Sequence, residues 1–447
     1  HDWVVSFDLN SLYPNIIVQS NISPETLVKD KSFGHYEQDV QHYLDSKDKT
    51  SREYSICASG VPFSHEKQGI IPELIVEYYA ERTLIKKKML EAKSAYEKEK
   101  SRQLEAEINQ LENNQMAIKI LLNSLYGALA NKYFKYFDNA LAESVTLTGQ
   151  LSIKWAEKAI NQEMNKVLKT GNKDYVIAID TDSLYINFGP LVKKLNPKDP
   201  VVAIDKLCQT HFEKKLAEAY DKLFHNLNGY TPRMEMGREV IADRGIWTAK
   251  KRYILNVWDS EGVRYEEPKL KMMGIEAVKS STPAPCRTMI KDALKLMMSG
   301  TEEDVIDFID ESRKQFKKLP PEQIAFPRTA SNVQKYRAHS TIYAKGTPIH
   351  IRGALLFNHY VKKNKIDNKY SLIGNGEKVK FLYLKKPNVI QENVISFIQD
   401  FPRELGLEKY VDYDLQFDKS FVEPLKAILD AIGWNVEKTV NLELFFS

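Results

Sequence analysis

The chain of 447 residues carries a formal net charge of +4, and hydrophobic residues make up 43% of it. This length is typical of two or three domains or subdomains, and the hydrophobic fraction excludes a globally disordered chain. The sequence contains no run of about 18 apolar residues, which a membrane-spanning helix requires. The small net charge does not by itself indicate nucleic-acid binding, although the basic residues are clustered and a local patch matters more than the sum. Cys57, Cys208 and Cys286 are too widely separated to indicate a zinc site or a disulfide framework, which favours a reducing compartment.

The first acidic segment follows a short apolar run near the start of the chain. Residues 3–7 predict a buried strand that ends at Asp8, and a turn and a short helix follow up to residue 28. A carboxylate at the end of a buried strand is costly unless a cation neutralises it. For this segment alone, a structural turn is the better interpretation, because aspartate favours turns.

A long helical region is predicted after a polar, irregular surface excursion over residues 29–68. Pro72 suits the first turn of a helix, and neither glycine nor proline interrupts the chain from there until Gly127. This length predicts two antiparallel helices that reverse within the charged run of residues 97–102. We expect Gly127 to end the second helix.

A second acidic segment follows a helix that is predicted near residues 147–167. The apolar residues 175–179 and 184–186 flank Asp180 and Asp182, which would face the same side of a simple extended strand. Two strands that both present acids form a natural magnesium platform for phosphoryl or nucleotidyl transfer. The second segment therefore shifts the interpretation away from simple turns.

The carboxy-terminal part of the chain is predicted to combine strands and helices. Residues 246–279 favour strands, because part of this segment is rich in β-branched and aromatic side chains. Pro283 and Pro285 mark a boundary, and helices are expected near residues 286–316 and 420–432.

Four motifs along the chain resemble those of the family B DNA polymerases. They are residues 8–14 (motif A, D-x-x-S-L-Y-P), 119–127 (motif B, K-x-x-x-N-S-x-Y-G), 180–183 (motif C, D-T-D-S) and 250–253 (the basic K-K-x-Y element). One motif would be weak evidence, whereas four in the family's order argue strongly against coincidence. More narrowly, the chain resembles the replicative polymerases of T4-like bacteriophages, also over residues 21–26, 269–283 and 350–353.

The resemblance implies an α+β fold in the shape of a right hand. Its parts would be a palm with an antiparallel sheet, fingers made of two antiparallel helices and a mostly helical thumb. The corresponding ranges are residues 1–68 and 128–282 for the palm, 69–127 for the fingers, 283–440 for the thumb and 441–447 for a clamp-binding tail.

The resemblance also implies DNA-templated addition of dNTPs to a primer 3′ end by two-metal nucleotidyl transfer. Asp8 and Asp182 would be the two metal-bridging carboxylates, Asp180 the accessory acid and Leu9 a backbone ligand of the two Mg²⁺ ions. Glu239 resembles a further palm acid near the metals, or it is a plain salt-bridge partner.

The nucleotide site would combine motif A with the two predicted helices. Tyr13 would exclude a 2′-hydroxyl sterically, although taken alone it is better interpreted as a core tyrosine. The remaining nucleotide-binding candidates are Leu9, Ser11 and Leu12 near the triphosphate, Arg82, Lys86 and Lys119 on its charges, and Asn123 and Tyr126 beside the nascent base pair. Arg82 and Lys86 are spaced i, i+4 on one helix face, but Lys86 also begins a lysine run that would suit a solvated face.

The DNA itself would be held by the basic element and the end of motif B. The candidates are Lys250, Lys251, Arg252 and Tyr253, which would contact the primer–template backbone without reading its sequence, together with Gly127. A solvated basic strand is the alternative.

The Leu/Phe-rich end of the chain is similar to the clamp-docking tail of T4-like polymerases, through Leu442, Leu444, Phe445 and Phe446. Its alternative is a tail that packs on its own thumb.

The match departs from the family in three places. Ile179 stands where the family usually has glycine before motif C, and the segment from residue 236 to residue 247 is shorter than expected. Motif A begins within the first ten residues, so we expect no 3′→5′ exonuclease on this chain. Either a separate amino-terminal polypeptide supplies one, or the sequence is truncated.

Two other functions compete with a polymerase module that acts in the cytoplasm of an infected bacterium. One is a non-catalytic DNA- and clamp-binding subunit of a split replicase. The other is a reverse transcriptase, which lacks support because its usual Tyr-x-Asp-Asp arrangement is absent.

Overall fold

The computed structural model describes residues 1–29, 40–45, 53–338 and 341–437. The chain forms two compact units. Unit 1 comprises His1–Asp243 and Trp258–Glu267, and unit 2 comprises Arg244–Val257 and Pro268–Ser447. No helix among the described residues is both long and apolar enough to cross a membrane.

Unit 1 combines helices with strands of an antiparallel sheet. In chain order its elements are β1 (Asp2–Leu9), α1 (Leu12–Gln19), α2 (Val40–Asp45), β2 (Tyr54–Ile56), β3 (Pro62–Ser64), α3 (Ile70–Lys98), α4 (Arg102–Leu129), α5 (Asn139–Leu168), β4 (Val176–Asp180), β5 (Ser183–Asn187), α6 (Gly189–Leu195), α7 (Pro200–Leu207) and α8 (Glu213–Asn226). The strands β6 (Met236–Ala249), β7 (Arg252–Ser260) and β8 (Val263–Met273) contribute residues to both units. The strand order of the six-stranded sheet is β4-β5-β1-β6-β7-β8.

Burial of β1 on both faces explains its uninterrupted apolar sequence. Val4, Val5 and Phe7 are fully buried, and so is Ser6, although successive side chains of a strand point to opposite faces. The sheet therefore has a covered face on either side of β1. The core of unit 1 joins this strand to Ile16, Phe188 and Phe212, among other residues.

Unit 2 has its own core around a three-stranded sheet. Its further elements are α9 (Ala284–Ser299), α10 (Glu302–Phe316), α11 (Pro321–Ile324), β9 (Phe326–Ala330), α12 (Ile349–Lys363), β10 (Glu377–Tyr383), β11 (Val394–Phe397), α13 (Tyr413–Phe417) and α14 (Glu423–Leu429). The three strands are antiparallel in the order β11-β10-β9. The prediction of a mostly helical thumb was therefore incomplete for this part of the chain.

The mixed α+β composition is confirmed, and so is the helical pair α3 and α4. The chain reverses between Lys98 and Arg102, and Lys93 of α3 pairs with Glu112 of α4 at 3.0 Å. The helix α3 begins two residues before Pro72. The division into palm, fingers and thumb stays a prediction.

Two predicted helix ends differ from the structure, although both helices are confirmed. Gly127 does not end α4, which continues to Leu129, because the chain around Gly127 is open and nothing forces a turn there. The helix α5 begins at Asn139, eight residues before the expected start, because the Asp138 side chain caps it by accepting from the Ala140 N–H. The cysteines Cys57, Cys208 and Cys286 are buried and free.

Candidate active site

Pairing of β1 with β5 brings the two acidic segments together. The register places Asp8 opposite Ser183, and the Leu9 N–H donates to the Asp182 carbonyl at 2.9 Å. Asp8 and Asp182 consequently line one cavity of about 1200 Å³, which lies within unit 1. Two segments more than 170 residues apart in sequence thus meet at one wall of this cavity.

The segment of motif C forms a tight hairpin turn between β4 and β5, so Asp180 and Asp182 do not share one extended strand. The strand β4 ends at Asp180, Thr181 adopts a left-handed conformation (φ 58°), and β5 begins at Ser183. The Asp182 N–H donates to the Asp180 carbonyl at 2.7 Å. The turn places Thr181 and Asp182 on the cavity wall, whereas Asp180 is not among the lining residues.

The electrostatics of the acidic wall favour a bound cation. Burial raises the pKa of Asp182, and the neighbouring charges of Asp180 and Glu239 raise it further, while the Asp182 backbone hydrogen bond and Lys119 act in the opposite direction. A carboxylate that is costly to ionise is stabilised by a cation beside it. Among the described residues, however, no three His, Cys, Asp or Glu side chains are grouped closely enough to hold a metal ion on their own.

Glu239 lies beside this acidic wall. It stands on β6 and accepts a hydrogen bond from the Ser6 hydroxyl of β1 at 3.1 Å. Its charge is one of the causes that raise the pKa of Asp182. The structure therefore gives Glu239 an electrostatic influence on the site, beyond that of a remote surface acid.

A second, basic wall of the cavity comes from α3 and α4. Arg82 and Lys86 of α3 and Lys119 of α4 all line it. The Nε atom of Arg82 is buried and has no hydrogen-bond partner among the described residues. A buried guanidinium N–H without an acceptor costs free energy, so this atom is suited to an anionic ligand.

The wall near Lys86 also includes an acid that the sequence did not single out. Glu261, in the turn between β7 and β8, approaches Lys86 at 3.9 Å, and its N–H donates to the Glu239 carbonyl at 2.7 Å. Both side chains of the ion pair are largely exposed, so the pair contributes little stability. The sequence signalled a turn at this position, but no local pattern related that turn to the cavity.

The start of α1 and the end of α4 complete the cavity. Ser11 adopts a left-handed conformation (φ 46°), and its hydroxyl does not cap α1. The Tyr13 ring lies 4.8 Å from the Tyr126 ring, centroid to centroid. Burial raises the pKa of Tyr13, and the nearby Tyr126 and Asp182 raise it further. The half-buried Tyr13 ring is thus held between the core and the cavity, rather than inside the core.

Most of the predicted nucleotide-site residues share this cavity. It is lined by Asp8, Ser11, Leu12, Tyr13, Arg82, Lys86, Lys119, Asn123, Tyr126 and Asp182. Leu9, Asp180 and Gly127 do not line it. Asn10, Pro14 and Thr181 of motifs A and C also line it, and the lining residues outside the four motifs that the sequence did not indicate are Tyr79, Thr83, Lys87, Leu90, Glu91, Ala95 and Glu261. Apart from Ala95, those of α3 lie within one or two turns of Arg82 and Lys86, so proximity on the same helix was a usable signal.

The basic K-K-x-Y element lies in unit 2, and its four residues differ in environment. Lys250 and Lys251 are exposed in the turn between β6 and β7. Arg252 binds both carboxylate oxygens of Glu276, at 2.9 and 2.7 Å. Tyr253 is only 3% exposed, and its ring stacks on Trp247. In the free protein the Tyr253 ring packs in the interior and the Arg252 guanidinium is paired with Glu276, and the expected phosphate contacts of this element stay a prediction.

Two other predictions concern Ile179 and the chain end. Ile179 packs against the core of unit 1 and does not line the cavity, so its bulk leaves the cavity open. The predicted clamp-binding residues Leu442, Leu444, Phe445 and Phe446 lie outside the described residues.

Comparisons with known proteins agree with the four motifs. A family model described as DNA polymerase family B matches residues 1–432. The DNA-directed DNA polymerase of Enterobacteria phage T4 is 31% identical over 99% of this chain and 55% of its own length. For the DNA-directed DNA polymerase of Escherichia phage RB69 the identity is 32%, with the same coverage. A DNA polymerase of Thermococcus gorgonarius is 25% identical over 97% of this chain and 46% of its own length. The chain thus spans about half the length of these relatives.

Proposed function

This chain belongs to DNA polymerase family B, and we propose that its cavity catalyses DNA-templated addition of deoxyribonucleotides to a primer 3′ end. The observation that carries the proposal is the pairing of oppositely charged walls in one cavity. Asp8 and Asp182 form an acidic wall, and Arg82, Lys86 and Lys119 form a basic wall. A nucleoside triphosphate and the cations that accompany it need both kinds of charge.

The acidic wall fits divalent metal ions, and magnesium is our proposal for their identity. Carboxylate oxygens are the ligands that Mg²⁺ prefers, and Mg²⁺ usually takes one or two carboxylates together with substrate phosphates. Asp8 and Asp182 would hold it, with Asp180 and the Leu9 backbone as accessory groups. That the described acids form no complete ligand cluster by themselves suits an ion that shares its ligands with the substrate. When bound, two such ions supply activation of the primer hydroxyl and charge neutralisation on the leaving pyrophosphate.

The basic wall would bind and orient the triphosphate. Arg82 has a buried Nε–H to donate, and Lys119 and Lys86 add two cations on the same cavity. Charge-assisted hydrogen bonds from such groups stabilise both the bound triphosphate and the additional charge on departing pyrophosphate. The Ser11 hydroxyl makes no capping hydrogen bond at the start of α1, so it is a further donor on this cavity.

Tyr13, Asn123 and Tyr126 would shape the part of the cavity that receives the sugar and the base. The Tyr13 ring packs against Tyr126 and would leave no room for a 2′-hydroxyl. For the primer–template backbone, the exposed Lys250 and Lys251 remain the proposed contacts, because exposed lysines bind phosphates without reading sequence.

The biological setting follows from the relatives. The T4 and RB69 relatives are phage proteins, so we propose that this chain acts in phage DNA replication in the cytoplasm of a bacterial host. Docking of a sliding clamp by the Leu/Phe-rich chain end is part of the same proposal and rests on the sequence resemblance alone.

Primer extension by the purified chain tests the proposed function. The chain is incubated with a primed template, dNTPs and Mg²⁺, beside an Asp182→Asn variant and a control variant Asp221→Asn. Asp221 is an exposed α8 residue outside the cavity. We expect extension by the wild-type chain and the control, and loss of extension with Asp182→Asn. A folded wild-type chain that binds DNA and does not extend the primer would instead support the non-catalytic binding subunit.

A further inference from the structure

We propose that Gly149 of α5 is a positioning residue that sets the location of the Tyr13 ring, and thereby the fit of the deoxyribose in the cavity. This inference rests on the proposed function, because it assigns Tyr13 to the sugar end of a bound nucleotide. Gly149 itself does not line the cavity.

The Tyr13 ring lies close to Gly149 of α5 and to the Tyr126 ring of α4. A Cβ atom on Gly149 would stand 3.0 Å from Cε1 of Tyr13, which is closer than ordinary van der Waals contact. The same Cβ would meet Ile16 at 3.5 Å and Leu12 at 3.6 Å, both ordinary distances. The conflict therefore concerns the Tyr13 ring specifically.

A buried glycine in the middle of a helix calls for such a packing reason. Gly149 lies well inside the 30-residue helix α5 and is buried there. Glycine in a helix interior is less favourable than alanine by about 1 kcal/mol. Close approach of the Tyr13 ring accounts for glycine at this position.

The helix α5 is anchored on neighbouring turns, so it resists moving away from the ring. The Ala58 N–H donates to the Thr148 hydroxyl at 3.0 Å, and the hydroxyls of Ser59 and Ser144 are 2.8 Å apart. All four residues are buried. Shifting α5 by a few tenths of an ångström would strain these buried hydrogen bonds, and buried groups that lose their partners are costly.

The ring, in contrast, can yield on its exposed side. Tyr13 is only half-buried and lines the cavity together with Tyr126 and Asp182. A methyl group at residue 149 would consequently displace the Tyr13 ring away from α5, into the cavity. The space for the sugar would change without any change in the groups that bind the metal ions or the triphosphate.

A double-mutant cycle on Gly149 and Tyr13 tests this inference. The variants are Gly149→Ala, Tyr13→Ala and the double variant, with Gly171→Ala as control because a Cβ there meets no atom within 4 Å. The assay is single-nucleotide primer extension, with kcat and KM determined separately for a dNTP and for the matching rNTP.

We expect Gly149→Ala to raise the KM for the dNTP about tenfold, with kcat changed far less, because overpacking misplaces the ring. In the Tyr13→Ala background, where no ring remains, the same substitution should leave KM within about twofold. The dNTP-to-rNTP preference should shift with Gly149→Ala and stay constant with Gly171→Ala. Equal effects of Gly149→Ala in both backgrounds, or no effect in either, would overturn the inference.

Thermal unfolding keeps the inference testable if Gly149→Ala folds poorly. The double variant has no ring to clash with the new methyl group, so it should unfold at a higher temperature than Tyr13→Ala, since alanine favours a helix. A double variant that unfolds at a lower temperature than Tyr13→Ala would show that the methyl group clashes elsewhere and would overturn the inference. Failure of the proposed function is distinguishable, because a wild-type chain that does not extend primers, or extends equally with both sugars, would overturn the role of Tyr13 before any variant is compared.

Discussion

Replacing Arg82 should weaken nucleotide use strongly and leave the fold unchanged. The Arg82 Nε is buried on the cavity wall, without an acceptor in the part of the chain that the structure describes. In the free protein, its loss removes no hydrogen bond from this atom, whereas in the complex it removes a charge-assisted one. A hydrogen bond to a charged group is worth about 1.5–3 kcal/mol. Arg82→Gln should therefore lower kcat/KM for a dNTP by about 10- to 150-fold.

The assay is steady-state primer extension over a range of dNTP concentrations, together with inhibition by inorganic pyrophosphate. Arg82→Lys keeps the charge and loses the Nε donor, so it should fall between the wild-type chain and Arg82→Gln. Arg102→Gln, an exposed arginine at the start of α4 that does not line the cavity, is the matched control. Values of kcat/KM for Arg82→Gln within twofold of the wild-type chain would refute the assignment of Arg82 to the triphosphate.

Three further predictions concern stability and reactivity. Because the folded-state pKa of Asp182 is raised, its ionised form costs stability. Asp182→Asn should therefore raise the melting temperature of the metal-free chain near neutral pH. This gain should vanish as the pH falls below 3.8, the usual pKa of an aspartate side chain. A gain that persists at acidic pH would exclude this cause. Arg238→Ala should destabilise unit 1 by about 3–5 kcal/mol in urea unfolding, because it leaves the buried Asp259 without its main partner. A decrease of less than about 1 kcal/mol in the free energy of unfolding would contradict that account. The Cys57 thiol, whose pKa burial raises to about 11, should react with a thiol reagent only as fast as the chain unfolds; immediate labelling of the native chain would argue against its burial.

The arrangement of charges in the cavity also explains why the free protein remains stable with several like charges close together. Arg82, Lys86 and Lys119 share the cavity with acids of β1 and the motif C turn, and Glu261 partly neutralises Lys86. Charges of opposite sign in one cavity reduce the repulsion within each wall. Nucleotide binding would then replace intramolecular partners, such as Glu261, by phosphate oxygens.

The resemblance of four motifs was sufficient for the family, and local chemistry along the chain was sufficient for much of the secondary structure. The apolar run before Asp8 predicts β1, because burial on both faces requires continuous apolar side chains. The region between Pro72 and Gly127 predicts two helices, because nothing in it disfavours helical backbone. Motif B spacing places Lys119, Asn123 and Tyr126 on one face of α4, since three- and four-residue steps meet on a helix.

Only tertiary structure decided which of these residues meet and which are engaged elsewhere. Asp8 and Asp182 line one cavity because strands far apart in sequence pair there, and no local pattern specifies that register. Arg252 is bound by Glu276, and Tyr253 is buried, although their sequence resembles a surface element. The sequence contained no indication of a role for Gly149, because a missing Cβ matters only when a neighbouring ring occupies the space that the Cβ would fill. Sequence determines the local chemistry of each segment, whereas the packing of distant segments determines which chemistries share one site.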